Sequence, residues 1–237
     1  MTDDVIAVAG VVKRFGKTDV LRGVDLTVPR GSVMGLLGTN GSGKTTLIKC
    51  MVGLLRVAAG GCRVLGEDAW SLSAQAKARI GYVPQVISFF PWMRVRDLVR
   101  YTASFYPKWN DELCARLIRE WAIPADQRAG TLSVGQTQKV AIVLAVAHEP
   151  DVLILDEPAA ALDPLARRQF LQLIIDIAGP GQRTILFSTH LTADLERVAD
   201  RVAVLKAGQV SWSGLLEDLK EQTHLNLEES FLEMHHV

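Results

Sequence analysis

The 237-residue chain carries 26 lysines and arginines against 26 aspartates and glutamates, so no global field draws it to nucleic acid or anionic lipid, and no nucleic-acid partner is expected. Hydrophobic residues make up 49% and charged residues 22%, the balance of a globular α/β protein and too apolar for a disordered one. The longest apolar run, Val140 to Ala147, falls far short of the roughly 20 residues a helix needs to cross a bilayer.

From the amino end, residues 5–28 mix β-branched runs with the turn signals Phe15-Gly16-Lys17 and Arg22-Gly23, which predicts antiparallel strands. Residues 32–37 read as a buried strand, followed by a glycine-rich turn and a helix over 44–55, the start of a parallel α/β core. Residues 86–131 carry helical patterns over 95–104 and 111–121 without strand runs between them, which predicts an inserted helical subdomain. Helix (134–147), strand (152–155), helix (165–177), strand (184–187), helix (193–199) and strand (202–205) then alternate as in a parallel sheet with crossover helices, and 217–237 reads as a tail of short amphipathic helices. The acidic start Met1-Thr2-Asp3-Asp4 is unlike a basic secretory leader, which predicts a cytoplasmic location. Cys50, Cys62 and Cys114 lack metal-ligand spacing and read as small buried hydrophobes. The adjacent His235 and His236 read as a solvated end, so no metal other than Mg²⁺ is expected.

Two motifs carry chemistry by themselves. Gly38-Thr39-Asn40-Gly41-Ser42-Gly43-Lys44-Thr45 fits G-x-x-x-x-G-K-[ST], placed after an apolar strand and before a helix that continues through Thr46. Glycines let the backbone wrap around phosphate oxygens, the helix N-terminus points its N–H groups at the anion, Lys44 adds a point charge, and Thr45 is the expected hydroxyl ligand of Mg²⁺. The apolar run Val152-Leu153-Ile154-Leu155 ends in Asp156-Glu157-Pro158. Two carboxylates thus sit at the carboxyl end of a buried strand, where parallel sheets place their ligands. Asp156 is expected to hold Mg²⁺ through water, leaving Glu157 to polarise an attacking water.

These residues describe a P-loop nucleoside triphosphatase, and a further motif narrows the class. Leu132-Ser133-Val134-Gly135-Gln136 resembles the signature sequence of ABC ATPases, and the order of motifs resembles that family over almost the whole chain. Gln85 in Tyr82-Val83-Pro84-Gln85 looks like the family's glutamine loop, Ala161-Leu162-Asp163-Pro164 its D-loop, Ser188-Thr189-His190 its switch histidine, and Phe15 the aromatic that stacks on adenine. The resemblance implies one ABC ATPase domain over 1–237, with a P-loop core, an N-terminal antiparallel β subdomain, a helical subdomain over about 86–131 plus the signature helix to about 148, and a tail from about 217. It also implies that Gln85 joins Mg²⁺ and the water, and that His190 holds the γ-phosphate and Glu157 in register.

Ser133 is a good N-cap for the helix that follows, so its end forms a second anion site. A two-fold dimer can sandwich ATP between the Lys44 loop of one copy and the Ser133 helix of the other, with Gly135, Gln136 and Asp163 near the nucleotide, as the resemblance implies. Val134 stands where the commonest family motif has Gly, so an ordinary helical conformation is expected there, with Gly135 as the close-approach residue. The expected function is ATP hydrolysis driving a transporter, beneath a separate membrane-spanning subunit at the cytoplasmic face, with a second copy or a paralogue as dimer partner. The helical segment from Phe89 and the ending Phe231-Leu232-Glu233-Met234-His235-His236 look like small bacterial exporter ATPases; import, or a soluble relative acting on ribosomes or DNA, are the alternatives.

Overall fold

In this computed structural model, which describes residues 4–179, 183–223, 226–229 and 231, the chain opens with two long strands. β1 (Asp4–Phe15) and β2 (Thr18–Pro29) pair antiparallel across the turn at Gly16-Lys17. The other expected turn, Arg22-Gly23, is instead a bulge inside β2. Val24 pairs with Val11 and Arg22 with Val12, leaving Gly23 unopposed at φ 82°, a conformation open to glycine at no steric cost.

β3 (Val33–Leu37) leads through the glycine-rich turn into α1 (Lys44–Met51). The helix stops short of residue 55 because Gly53 turns left-handed (φ 72°) against Ala69, whose carbonyl oxygen would lie 2.1 Å from an added Cβ. β4 (Ala59–Val64) and β5 (Glu67–Asp68) extend the first sheet to the order β2-β1-β4-β5. Then come α2 (Ala74–Ala78) and β6 (Ile80–Val83), followed by the helical insertion with α3 (Val95–Ala103) and α4 (Asp111–Glu120). The remainder alternates: α5 (Val134–Val146), β7 (Val152–Asp156), α6 (Pro164–Ala178), β8 (Thr184–Thr189), α7 (Thr192–Val198), β9 (Arg201–Lys206), β10 (Gln209–Leu215) and α8 (Leu216–Thr223).

The second sheet has the order β10-β9-β3-β8-β7-β6, parallel throughout except for the antiparallel edge strand β10. Its central strand β3 is buried on both faces, as a parallel sheet covered on two sides requires. Alternation along the strand divides the core in two. Met34 and Leu36 pack with α1 and the antiparallel sheet, whereas Val33 and Leu37 pack with α5, α6 and the helical insertion. Each such burial contributes about 1.5–3 kcal/mol. Of the expected tail, α8 and the buried Leu227 are in place, while Leu232 to His236 lie outside the described residues. Among the described residues no helix is long and apolar enough to cross a membrane.

His148, just past α5, ties the insertion to the core. Its ring stacks on Tyr106 at 4.0 Å between centroids, and Nε2 lies 3.3 Å from the Ile80 carbonyl. Burial pushes this imidazole below its ordinary value of 6.5, partly offset by its backbone hydrogen bonds. A histidine harder to protonate folded than unfolded contributes stability above its unfolded pKa and loses it as pH falls. The melting temperature should therefore drop on going from about pH 7.5 to about 5.5. The variant His148→Phe, which keeps the stack on Tyr106, should flatten that dependence; an equal slope in both proteins would rule the imidazole out.

Candidate functional site

Four parallel strands end level with one another. Leu37 lies opposite Thr189, Asp156 opposite Ser188, and Val83 opposite Leu155. The residues that leave the carboxyl ends of β3, β6, β7 and β8 are therefore Gly38, Pro84-Gln85, Glu157 and His190, all on one edge of the sheet. This edge is where open α/β sheets hold ligands.

The loop after β3 is shaped by contacts that exclude side chains. A Cβ on Gly38 would meet the Leu205 carbonyl oxygen and Ser42 Oγ, each at 2.6 Å, and Gly41 and Gly43 take φ of 81° and 110°. Ser42 is buried and its amide donates to the Thr39 carbonyl. Gly43 caps α1 without a side-chain acceptor, so the first amides of the helix, at Lys44, Thr45 and Thr46, are left for a ligand. They open on a cavity of about 440 Å³ that Asn40, Gly41, Gly43, Gln85 and Glu157 also line. Val20 of β2 lines it too.

Behind the loop the charged groups are packed tightly. Lys44 Nζ donates to the carbonyls of Gly38 (2.7 Å) and Thr39 (3.2 Å) and lies 3.2 Å from Glu157 Oε1, with both side chains only 6% exposed. The other carboxylate oxygen of Glu157 is 3.0 Å from His190 Nδ1. Glu157 has φ 49°, a left-handed backbone for a residue with a side chain, the kind of strain that persists where the surroundings hold it. Beside it, Thr45 Oγ1 donates to Gln85 Oε1 at 3.2 Å. Burial pushes the Asp156 carboxyl above the usual carboxylate range, with the neighbouring Glu157 charge adding to the rise and the Ser188 hydrogen bond and the charge of Lys44 opposing it. Asp156 Oδ2 is buried without a hydrogen-bond partner. An orphaned carboxylate oxygen next to a hydroxyl and an amide oxygen is a donor set that fits a small hard cation such as Mg²⁺.

The structure thus brings Lys44, Thr45, Gln85, Asp156, Glu157 and His190 together. Ser133 caps α5 through a reciprocal pair, accepting from the Gln136 amide at 3.2 Å while its own amide donates to Gln136 Oε1 at 2.9 Å. Val134 follows in ordinary helical conformation, and a Cβ on Gly135 would lie 3.0 Å from the Ala161 carbonyl oxygen, where α5 meets the segment leading to Asp163. Asp163 caps α6 by accepting from the Ala166 amide at 2.9 Å. Ser133, Gly135, Gln136 and Asp163 do not line the cavity in front of the phosphate loop, and neither does Phe15, which is half-exposed beneath Lys13. Two positions carry geometry that sequence reasoning left without a role. Val20 borders the cavity, and Ser188, named only as part of the segment before His190, is fully buried against both acidic residues. The signal for Ser188 is a polar residue directly after the apolar run Ile185-Leu186-Phe187.

On the helical insertion, Phe90, Trp92, Tyr101 and Phe105 form a chain of exposed rings with neighbouring centroids 5.0–5.8 Å apart. Met93, Tyr106 and Trp109 are partly buried.

The family model described as "ABC transporter" matches residues 21–160. The Nod factor export ATP-binding protein I of Burkholderia lata is 35% identical over 205 residues, covering 84% of this chain and 67% of that protein. The sulfate/thiosulfate import ATP-binding protein CysA of Salmonella typhi is 34% identical over 215 residues, 86% of this chain and 58% of that protein. A solved structure described as the ATP binding subunit of an ABC transporter superimposes with a TM-score of 0.87 at 29% identity, covering 98% of this chain and 99% of the other.

Proposed function

Since the chain belongs to the ABC transporter family as an ATP-binding, ATP-hydrolysing subunit, we propose that it drives export through a separate membrane subunit, with two copies closing around two ATP molecules. The observation that carries this reading is the cluster in which Lys44 and His190 clasp Glu157 between the phosphate loop and β8.

In this reading the phosphates enter the cavity before α1 and take over the hydrogen bonds that Lys44 makes to Gly38 and Thr39. Released from Lys44, Glu157 orients the attacking water and accepts its proton, while His190 holds that carboxylate and contacts the γ-phosphate. Mg²⁺ would be held by Thr45, Gln85 and, through water, Asp156; when bound it neutralises charge on the phosphate oxygens. Most of the rate then comes from positioning and charge stabilisation. Phe15, exposed at the end of β1 and outside that cavity, stacks on adenine. The free end of α5, with its Ser133 hydroxyl, together with Gly135, Gln136 and Asp163, serves the nucleotide of the second copy.

Export is supported by the name of the Nod factor relative, while the CysA relative makes import the alternative. The membrane subunit, at the cytoplasmic face, is read to dock on the exposed rings of the insertion, because Trp92 and Phe105 keep 68% and 65% of their surface open to solvent. Purification in mild detergent from the native host should recover a polytopic membrane protein with the wild-type chain. Trp92→Ser with Phe105→Ser should lose it and keep basal ATP hydrolysis. Identifying that subunit also decides the direction of transport. Retention of the same subunit by the double variant would contradict docking at this surface.

A further inference from the structure

On the assignment of Asp156 to the metal and Glu157 to the water, we infer that Ser188 is a positioning residue that fixes both acidic groups at once through one hydroxyl. Its Oγ donates to Asp156 Oδ1 at 2.8 Å and accepts the backbone N–H of Glu157 at 2.9 Å. A serine hydroxyl has one proton and two lone pairs, so it can do both together. The parallel register sets Ser188 directly opposite Asp156, on a strand whose side chains are all buried there.

Each bond has a specific consequence. By occupying Oδ1, Ser188 turns the carboxylate so that Oδ2, which has no protein partner, is the oxygen left for the metal shell. By accepting from Glu157 N, it replaces a sheet partner for an amide that has left the ladder. Glu157 turns to φ 49° immediately after β7 ends, and that turn carries its side chain towards Lys44 and His190. An alanine here would orphan a buried carboxylate oxygen and a buried amide together. Removing an outer-shell partner of this kind typically lowers metal affinity or activity by about 10–100-fold.

Ser188→Ala, Ser188→Thr, Asp156→Asn and Glu157→Gln are to be compared with the wild-type chain. Turnover is followed against Mg²⁺ concentration at saturating ATP, Mn²⁺ binding to the ADP complex is followed by electron paramagnetic resonance, and ATP affinity is measured in excess chelator. Ser188→Ala should weaken Mn²⁺ binding and lower turnover by about 10-fold or more, with chelator-state ATP affinity unchanged because the phosphate loop is untouched. Ser188→Thr, which keeps the hydroxyl, should recover both. A merely structural role would lower stability and metal-free ATP binding without changing the metal dependence. If Ser188→Ala does not fold, Ser188→Cys, similar in size and a weak donor, carries the same expectation. Wild-type metal dependence in Ser188→Ala, or equal impairment in Ser188→Thr, would overturn the inference while Asp156→Asn and Glu157→Gln still abolish turnover. Normal turnover in those two controls would instead overturn the site assignment beneath it.

Discussion

Replacing Glu157 with Gln lowers steady-state ATP turnover by about 10² or more, the usual contribution of a positioned general base, and leaves ATP binding in place. The substitution keeps the shape of the side chain and removes its negative charge together with its capacity to take a proton. Lys44 loses its carboxylate partner but keeps the carbonyls of Gly38 and Thr39 as acceptors, so its ammonium stays hydrogen-bonded until a phosphate supplies the counter-charge. The contrasting variant, Lys44→Ala, removes the point charge proposed to meet the phosphates and is expected to weaken nucleotide binding itself. It also leaves Glu157 buried with His190 as its remaining partner, so a thermal melt has to accompany the titration. Measuring turnover and ATP affinity in both variants separates the two roles. Near-normal turnover in Glu157→Gln would take that residue out of the base role.

Much of this site could be read before any coordinates, because the phosphate loop and the acidic strand end are dictated locally. Glycines 38, 41 and 43 are required by close approach or by positive φ, and four aliphatic residues ending in two acids read as an inner strand meeting a ligand edge. The amphipathic helices α3 and α4, and α5 with its Ser133 cap and long apolar run, begin where the pattern places them. What the sequence hid depended on distant partners. β4, reading Ala-Gly-Gly-Cys-Arg-Val, has little strand propensity and is held by pairing with β1, with Gly60 pressed on the backbone of Gly10. β6 is only four residues long and β10 is an edge strand with few β-branched residues. The contact of Glu157 with Lys44 and the two hydrogen bonds of Ser188 join residues far apart in the chain and follow from strand order, which no local pattern encodes; the contact of Glu157 with His190 is implied by the family resemblance alone.

The second large effect concerns the other end of the cycle. Ser133→Arg, introduced into the Glu157→Gln chain so that hydrolysis cannot hide the equilibrium, should abolish ATP-dependent dimerisation while the monomer still binds ATP. In the proposed cycle the Lys44 loop makes the phosphate contacts within one chain, whereas Ser133, exposed at the start of α5, lies outside the cavity that the loop faces. A bulky cation at that position opposes the positive end of the helix and blocks close approach of a second copy. It also removes an N-cap whose loss costs about 0.5–2 kcal/mol, small enough for the fold to survive and to be verified by circular dichroism.

The most direct measurement is size-exclusion chromatography of Glu157→Gln and of Glu157→Gln with Ser133→Arg, each with and without ATP, beside a nucleotide-binding titration of the isolated monomers. Two copies closing on two nucleotides predict that ATP shifts the first protein to a dimer, leaves the second a monomer, and binds both monomers with similar affinity. A folded Ser133→Arg monomer that has lost ATP binding would place the Ser133 helix at its own chain's nucleotide and contradict the shared site.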